Sequence, residues 1–356
     1  MLFRESFFIT GFPGFIASRL VEQLAGSERQ MFLLVEPRFI DVAMAEVEDI
    51  AEATATPLDN FVIVEGDITH PKLGISDADL EVIQIETTDV FHLAAAYDLA
   101  IAKDTAFNIN LLGTRHVNDL ACSIKNLRRL HYVSTCYVAG KRTGQILETE
   151  LEHNAGFRNF YEETKYLAEI EVERLKSHLP VTIYRPSVVV GDSLSGETAK
   201  YDGIYHLIHY LRKAPSLLRV VNVGNRDVRL NLVPVDFVVD AIASLAFDDD
   251  ALGKTLAIAD AQPLTTAELF DVLAKCMTGR KSEYTPPTKV VEWFLNLSIS
   301  PAITGLPIHG VPYFFLSQNY ETSIADALLK KHGVNCPRFQ NYAANLLDFV
   351  DEFPRL

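Results

Sequence analysis

The 356-residue chain has few cysteines, a single tryptophan and no long apolar run. Its four cysteines, Cys122, Cys136, Cys276 and Cys336, are scattered without close pairing. They read as free thiols in a reducing compartment, so a disulfide scaffold is excluded and a cytoplasmic location is expected. No Cys/His cluster has zinc-ligand spacing, and no metal is expected. No segment approaches the ~18 uninterrupted apolar residues of a membrane helix, so no transmembrane segment is expected. The apolar start Phe7–Thr10 follows Arg4 but is broken at once by Gly11, Pro13 and Gly14 and lacks a small-residue cleavage site, which argues against a signal peptide. Basic residues are also in deficit: the net charge is −15, against general affinity for nucleic acid or anionic membrane surfaces. Internal repeats and low-complexity tracts are absent.

What is present suits a large core. With 48% hydrophobic and 22% charged residues, the length fits one large domain or a main domain with a smaller cap. Short apolar runs at Phe7–Thr10, Met31–Val35, Phe61–Val64, Val90–Leu93, Leu130–Ser134 and Val181–Tyr184 look like buried parallel strands. Amphipathic stretches at Phe15–Leu24, Asp41–Ala51, Lys103–Ile124 and Asn159–Ser177 separate most of them and read as helices. This alternation predicts an α/β fold, a Rossmann-type doubly wound parallel sheet. After Pro186 the texture changes. Gly191–Gly203 reads as a long loop and Ile204–Leu211 as a helix. Leu230–Asp236 is expected to return to the sheet, with Asp236 capping a helix at Phe237–Ala246. Thr265–Met277 reads as a further helix. The expected division is a nucleotide-binding domain over 1–186, rejoined by 222–258, and a mostly helical substrate-binding region over 187–221 and 259–356.

Three groups of residues carry chemistry. Thr10-Gly11-Phe12-Pro13-Gly14-Phe15-Ile16-Ala17 sits where the first strand meets the first helix. Glycine there permits a tight turn and close approach of backbone to pyrophosphate, and the helix N-terminus offers amide donors. Glu36, after the second strand, can accept from ribose hydroxyls and favours NAD; Arg38 can instead meet the 2′-phosphate of NADP. Asp67 and Ile68 follow the third strand, with Asp67 a candidate acceptor for an adenine amino group. Leu93, Ala94 and Ala95 end the fourth strand, and such small residues let a flat cofactor lie against the backbone. Ser134 and Thr135 end the fifth strand, and either hydroxyl is a candidate partner for a carbonyl oxygen. Tyr161 and Lys165 stand four residues apart on a helix, hence on one face. A nearby ammonium lowers the titration of a phenol, so the pair is a candidate general acid/base. A second such pair, Tyr137 and Lys141, lies at a strand end beside Gly140, where i and i+4 do not stack.

In this order the pieces resemble the extended short-chain dehydrogenase/reductase family over roughly residues 5–258. The likeness rests on Gly11, Gly14 and Ala17, Asp67, His92–Ala95, Asn110-x-x-Gly113-Thr114, Ser134-Thr135, Tyr161-x-x-x-Lys165 and Arg185-Pro186-Ser187. Val133-Ser134-Thr135-x-Tyr137-Val138 and Phe157-x-Asn159-x-Tyr161-x-x-Thr164-Lys165 are similar to the branch of fatty acyl-CoA reductases, male-sterility proteins and terminal thioester reductase domains. That branch often carries a basic residue where this chain has Glu36, and the last third matches only loosely. The resemblance implies NAD(P)(H) as cofactor and Tyr161 as acid/base. Lys165 would be its electrostatic partner and bond the nicotinamide ribose. It implies that Thr135 orients the carbonyl oxygen, that Asn110 supports the site, and that Pro186 and Ser187 lie near the nicotinamide or its phosphate. It also makes a homodimer an expectation.

The expected reaction is hydride transfer with an apolar carbonyl or acyl thioester, such as an acyl-CoA or a carrier-bound acyl group. Tyr205, Leu207, Ile208, Trp293, Phe294, Tyr313, Phe314 and Phe315 are candidates for an acyl pocket or lid, and equally for an ordinary core or a dimer contact. Val290–Ile299 is also considered as a membrane-surface helix. Two rival readings remain. A hydroxysteroid-type or sugar-nucleotide dehydrogenase or epimerase could draw on Arg212, Arg219, Arg226 and Arg229 for a diphosphate. A non-catalytic nucleotide-binding subunit would have no need of Thr135, Tyr161 and Lys165 together.

Overall fold

The computed structural model describes residues 3–213, 222–282, 284–295, 297 and 308–354. Seven parallel strands form the central sheet: β1 (Glu5–Thr10), β2 (Arg29–Val35), β3 (Phe61–Glu65), β4 (Asp89–His92), β5 (Arg129–Val133), β7 (Val181–Pro186) and β10 (Thr255–Ile258), while β6 (Gly144–Ile146) pairs apart from it with Gln318–Tyr320. Their order is β10-β7-β5-β4-β1-β2-β3. The chain reverses its winding between β1 and β4, the place where an open α/β sheet leaves a crevice at the carboxyl ends of its strands.

Period-2 alternation sends successive side chains to opposite faces, and both faces are covered. Phe7, Ile9, Leu33 and Val35 pack under α1 (Phe15–Leu24), α2 (Ile40–Thr54) and α8 (Val235–Ala246). Phe8, Phe32, Leu34, Val90 and Leu130 pack under α3 (Asp77–Glu86), α5 (Gly113–Ser123) and α6 (Phe160–Leu175). The strand near 255–258 and helix α3 have no clear periodic signature of their own and were not anticipated.

Two expectations change. The helix expected over Lys103–Ile124 is three pieces: α4 (Lys103–Ala106), a π-helical turn at Phe107–Leu112, and α5. The π turn places Asn110 to bond across to α6, which a straight helix would not dictate from periodicity. Leu230–Asp236 does not rejoin the main sheet. Its strand β9 (Leu232–Pro234) pairs in parallel with β8 (Val188–Val190) in a separate two-stranded sheet. Asp236 is not a cap; its carboxylate takes the backbone N–H and hydroxyl of Ser193 at 2.9 and 2.6 Å.

A second core lies beyond the sheet. Helices α7 (Ile204–Lys213), α9 (Thr266–Thr278) and α12 (Phe339–Glu352) bury Tyr205, Leu207, Ile208, Phe270, Leu273 and Tyr342 together. Helix α9 starts in a capping box, Thr265 with Glu268. Tyr205, Leu207 and Ile208 are therefore core of this unit rather than pocket. Helix α10 (Thr288–Leu295) is only eight residues long and leaves Trp293 66% exposed. Among the described residues no helix is long and apolar enough to cross a membrane. Arg219, residues 296 and 298–299 of the 290–299 stretch, and the Phe294 side chain lie outside the described residues. Helix α11 (Ser323–Lys331) returns to pack Ala325, Leu328 and Leu329 on the sheet side.

Candidate active site

A cleft runs along the carboxyl ends of the strands in two joined cavities. The larger, about 1120 Å³, is lined by Gly11–Gly14, Glu36, Arg38, Asp67, Ile68, Ala94 and Ala95. The smaller, about 410 Å³, is lined on one side by Gly11, Gly14, Phe15, Ile16 and Leu93–Ala95. Its other side is Ser134, Thr135, Tyr161, Lys165, Pro186 and Ser187. The candidate cofactor and catalytic residues meet here except Asn110, which lines neither cavity, whereas the acyl-pocket candidates Tyr205, Leu207, Ile208, Trp293 and Tyr313 line neither.

The glycine turn fits a dinucleotide. Gly11 has φ +93°, and a Cβ there would stand 2.9 Å from the Ala94 amide nitrogen; at Gly14 it would stand 2.5 Å from the Gly11 carbonyl oxygen. Only glycine keeps this approach open. Helix α1 has Gly14 as its N-cap residue and no side-chain cap. Its first amides therefore face the cleft without intrahelical partners, a ready site for a diphosphate. At the far end Glu36 and Arg38 pair with each other at 2.8 Å, and the guanidinium lies 4.6 Å over the Phe39 ring. The Asp67 carboxylate accepts from the Thr69 amide at 2.8 Å, which fixes it at the cavity wall.

Beneath the turn a hydrogen-bonded chain fixes the strand ends. The Ala94 amide donates to the Thr10 hydroxyl at 3.1 Å, and Thr10 stands 2.8 Å from His92 Nδ1. His92 Nε2 stands 3.0 Å from the Thr114 hydroxyl, which donates to the Asn110 carbonyl at 2.6 Å. With that hydroxyl proton committed, Nε2 carries hydrogen and Nδ1 accepts from Thr10. Burial, reinforced by the charge of Lys165, pushes His92 down to about 3, so it stays neutral as this chain requires. Asn110 ties the turn after β4 to α6. Its side chain accepts from the Ala96 amide at 2.8 Å and donates to Thr164 on α6 at 3.1 Å.

Helix α6 presents Tyr161 and Lys165 to the smaller cavity. Asn159 caps it, its side-chain oxygen accepting from the Glu162 amide at 2.9 Å. The Tyr161 phenol is buried, and burial pushes its titration up, with the neighbouring Thr135 hydroxyl opposing the shift. Lys165 is buried as well. Its ammonium donates to the Tyr132 hydroxyl and the Val133 carbonyl, both at 2.9 Å, and lies 4.5 Å from the Tyr132 ring centre. Desolvation brings Lys165 down to about 7, with Glu169 pulling the other way. The expectation that the ammonium lowers the phenol is thus corrected: burial dominates, Thr135 supplies the opposing effect, and Lys165 is held against the end of β5.

Ser134 and Thr135 separate into different roles. The Ser134 hydroxyl donates to the buried carboxylate of Glu169, which is held by Arg185 at 2.6 and 2.8 Å. Thr135 keeps its hydroxyl on the cleft side, beside Tyr161, accepting from the Tyr137 amide at 3.2 Å. Ser187 is also committed, donating to Asn231 at 2.8 Å. The rival pair dissolves: Tyr137 lies in a 3-10 turn at Cys136–Ala139, and Lys141 is exposed beyond it.

The sequence reading missed Tyr97, Lys200 and Asp202, which also line the smaller cavity. The Tyr97 ring meets that of Tyr161 edge-on at 5.1 Å, and Lys200 donates to the Tyr97 carbonyl at 3.3 Å. They sit in irregular segments with no periodicity to reveal them. Glu169 was legible in principle, since it continues the Tyr161–Lys165 face by one more helical turn.

A profile described as male sterility protein matches residues 9–242. Fatty acyl-CoA reductase wat of Drosophila melanogaster is 28% identical over 277 residues, covering 68% of this chain and 54% of that protein. Human fatty acyl-CoA reductase 1 is 25% identical, covering 67% and 54%. The chain therefore spans about half the length of these two relatives. Among solved structures, the terminal R domain from the myxalamid PKS-NRPS biosynthetic pathway superposes with TM-score 0.82 at 23% identity, covering 99% of this chain and 92% of that one. A UDP-glucuronic acid 4-epimerase from Bacillus cereus shares the fold at TM-score 0.67 and 16% identity, covering 98% and 99%. With two thirds of its length matched by the profile and its motifs gathered in one cleft, the chain belongs to the male sterility family.

Proposed function

We propose that the protein is an NAD(P)H-dependent oxidoreductase that reduces an apolar acyl thioester or a related carbonyl, with Tyr161 as the proton donor. The observation that carries this reading is the Thr135–Tyr161 hydroxyl pair. It faces a cavity continuous with a glycine-lined cleft at an uncapped helix N-terminus.

When bound, the nicotinamide supplies the hydride. Gly11 and Gly14 let a dinucleotide approach the backbone, and the first amides of α1 bind its diphosphate. Lys165 would bond the nicotinamide ribose, while its contacts to Tyr132 and Val133 anchor it to β5. Tyr161 and Thr135 both reach one substrate oxygen. As the carbonyl carbon becomes tetrahedral, that oxygen gains negative charge, and two preorganised donors in a water-poor site stabilise it. Tyr161 then gives its proton to the oxygen. A thioester yields a hemithioacetal, which loses its thiol to leave an aldehyde; a ketone or aldehyde yields an alcohol. A phenol kept protonated by burial is the form that donates, which suits reduction.

Phe15, Ile16, Tyr97, Tyr137, Val188 and Val189 surround the reacting groups, which favours an apolar substrate. Segment 187–202 would supply the substrate side of the cleft and residues 1–186 the cofactor side. The sugar-nucleotide alternative draws less support. Arg212 is spent on the carbonyls of Leu347 and Val350, and Arg229 on that of Pro263. The test is NAD(P)H consumption against long-chain acyl-CoAs, aldehydes, steroids and UDP-sugars. Turnover of acyl-CoAs or aldehydes is expected; activity with UDP-sugars alone would overturn the assignment.

A further inference from the structure

Tyr313 lies far from Tyr161 in sequence, in a 3-10 segment at Ile308–Phe314, yet it touches the supports of both reacting hydroxyls. On one side its phenol donates to the Glu162 carboxylate at 2.5 Å and accepts from Asn159 Nδ2 at 2.8 Å. Asn159 is the cap of α6, and Glu162 follows Tyr161 directly. Glu162 is fully buried, and Arg158 holds it through its guanidinium and its backbone amide, each at 2.9 Å. On the other side the Tyr313 ring packs on the Tyr137 ring, with centroids 4.7 Å apart. The Tyr137 amide is the donor that fixes the Thr135 hydroxyl.

These contacts differ from ordinary core packing. One apolar side chain could fill the space beside Tyr137, but only a hydroxyl can satisfy Glu162 and Asn159 at once. A buried carboxylate that loses a donor is left undersolvated and draws its neighbours into new positions. Here the neighbours are the first turn of α6 and the turn after β5. A shift of a few tenths of an ångström between them changes the reach of Tyr161 and Thr135 toward a shared oxygen, to which proton transfer is sensitive.

We infer that Tyr313 is a positioning residue that sets the spacing of Thr135 and Tyr161, so that the segment after residue 307 is part of the catalytic apparatus. The inference rests on Tyr161 and Thr135 acting together on the substrate oxygen. Tyr313 makes no contact with the cofactor cleft and lines neither cavity. Its hydroxyl is therefore felt in turnover and not in cofactor binding.

The experiment compares Tyr313→Phe, Tyr161→Phe and the double variant, using a saturated long-chain acyl-CoA with NADPH or NADH. Tyr313→Phe keeps the ring on Tyr137 and removes only the hydroxyl. The expected result is a kcat lower by about tenfold, with substrate KM and cofactor Kd within about twofold of wild type. In the Tyr161→Phe background the Tyr313→Phe change should have no further effect, because both act through one proton transfer. Tyr313→Leu, which also loses the aromatic contact, should lower kcat further; if it fails to fold, Tyr313→Phe alone decides. Unchanged kcat in Tyr313→Phe, or losses that multiply in the double variant, would overturn the inference. Full activity of Tyr161→Phe would instead overturn the acid/base reading beneath it, and the inference with it.

Discussion

Replacing Lys165 by methionine removes a buried ammonium whose contacts are two oxygens and a ring face. The folded protein holds this lysine near 7, whereas its ordinary value is 10.5. Between those two limits the unfolded chain carries one more proton than the folded one, so stability rises with pH. The penalty for burying the charge is complete below about 7 and vanishes above about 10.5. Each pH unit well inside the window is worth ~1.4 kcal/mol, so wild type should gain about 2 kcal/mol between pH 7.5 and 9.5 from this group alone. The Lys165→Met variant lacks the term. Urea unfolding of both proteins, free of cofactor, at several pH values in that range isolates it, because all other groups cancel in the difference. The stability advantage of Lys165→Met over wild type should shrink by about 2 kcal/mol as the pH rises. A difference that stays constant would show that the ammonium is solvated, and that the contacts to Tyr132 and Val133 do not confine it.

Gly11→Ala places a Cβ 2.9 Å from the Ala94 amide in a left-handed conformation. It should cost about 1–3 kcal/mol of stability and weaken NADH and NADPH binding by at least about tenfold, read by fluorescence titration. Arg38→Ala should weaken NADPH more than NADH, and Glu36→Gln should do the reverse, since the two side chains present opposite charges at the ribose end of the cleft. Equal effects on both cofactors would place that end elsewhere. Arg185→Met strands Glu169 as a buried carboxylate and should cost about 3–5 kcal/mol in urea unfolding, much of it recovered in Arg185→Met/Glu169→Leu.

The central sheet was legible because buried parallel strands are short apolar runs separated by amphipathic helices. Phe15–Leu24 was read to its ends, with Gly14 before it as a plain boundary. Elements without such contrast escaped. Thr255–Ile258 is four residues long, and its place beside β7 follows from tertiary pairing. The π turn around Asn110 keeps the apolar rhythm of an ordinary helix, so nothing in the pattern announces it. At the site, the motif residues were named because each stands at a strand or helix end with a definite chemical task. Their partnerships were not legible: Tyr313 reads as a pocket or core candidate, but its contact with Glu162 joins positions 151 residues apart. The direction of the Tyr161 shift was misread for a related reason: spacing reveals the neighbouring lysine but not the depth of burial, and burial wins.

The most direct test of the account is single-turnover reduction of an acyl-CoA by Tyr161→Phe, with cofactor Kd measured on the same protein. Loss of the proposed proton donor should lower the rate by at least about a thousandfold while Kd changes by less than about threefold. Near-normal turnover with cofactor binding intact would show that Tyr161 does not donate the proton.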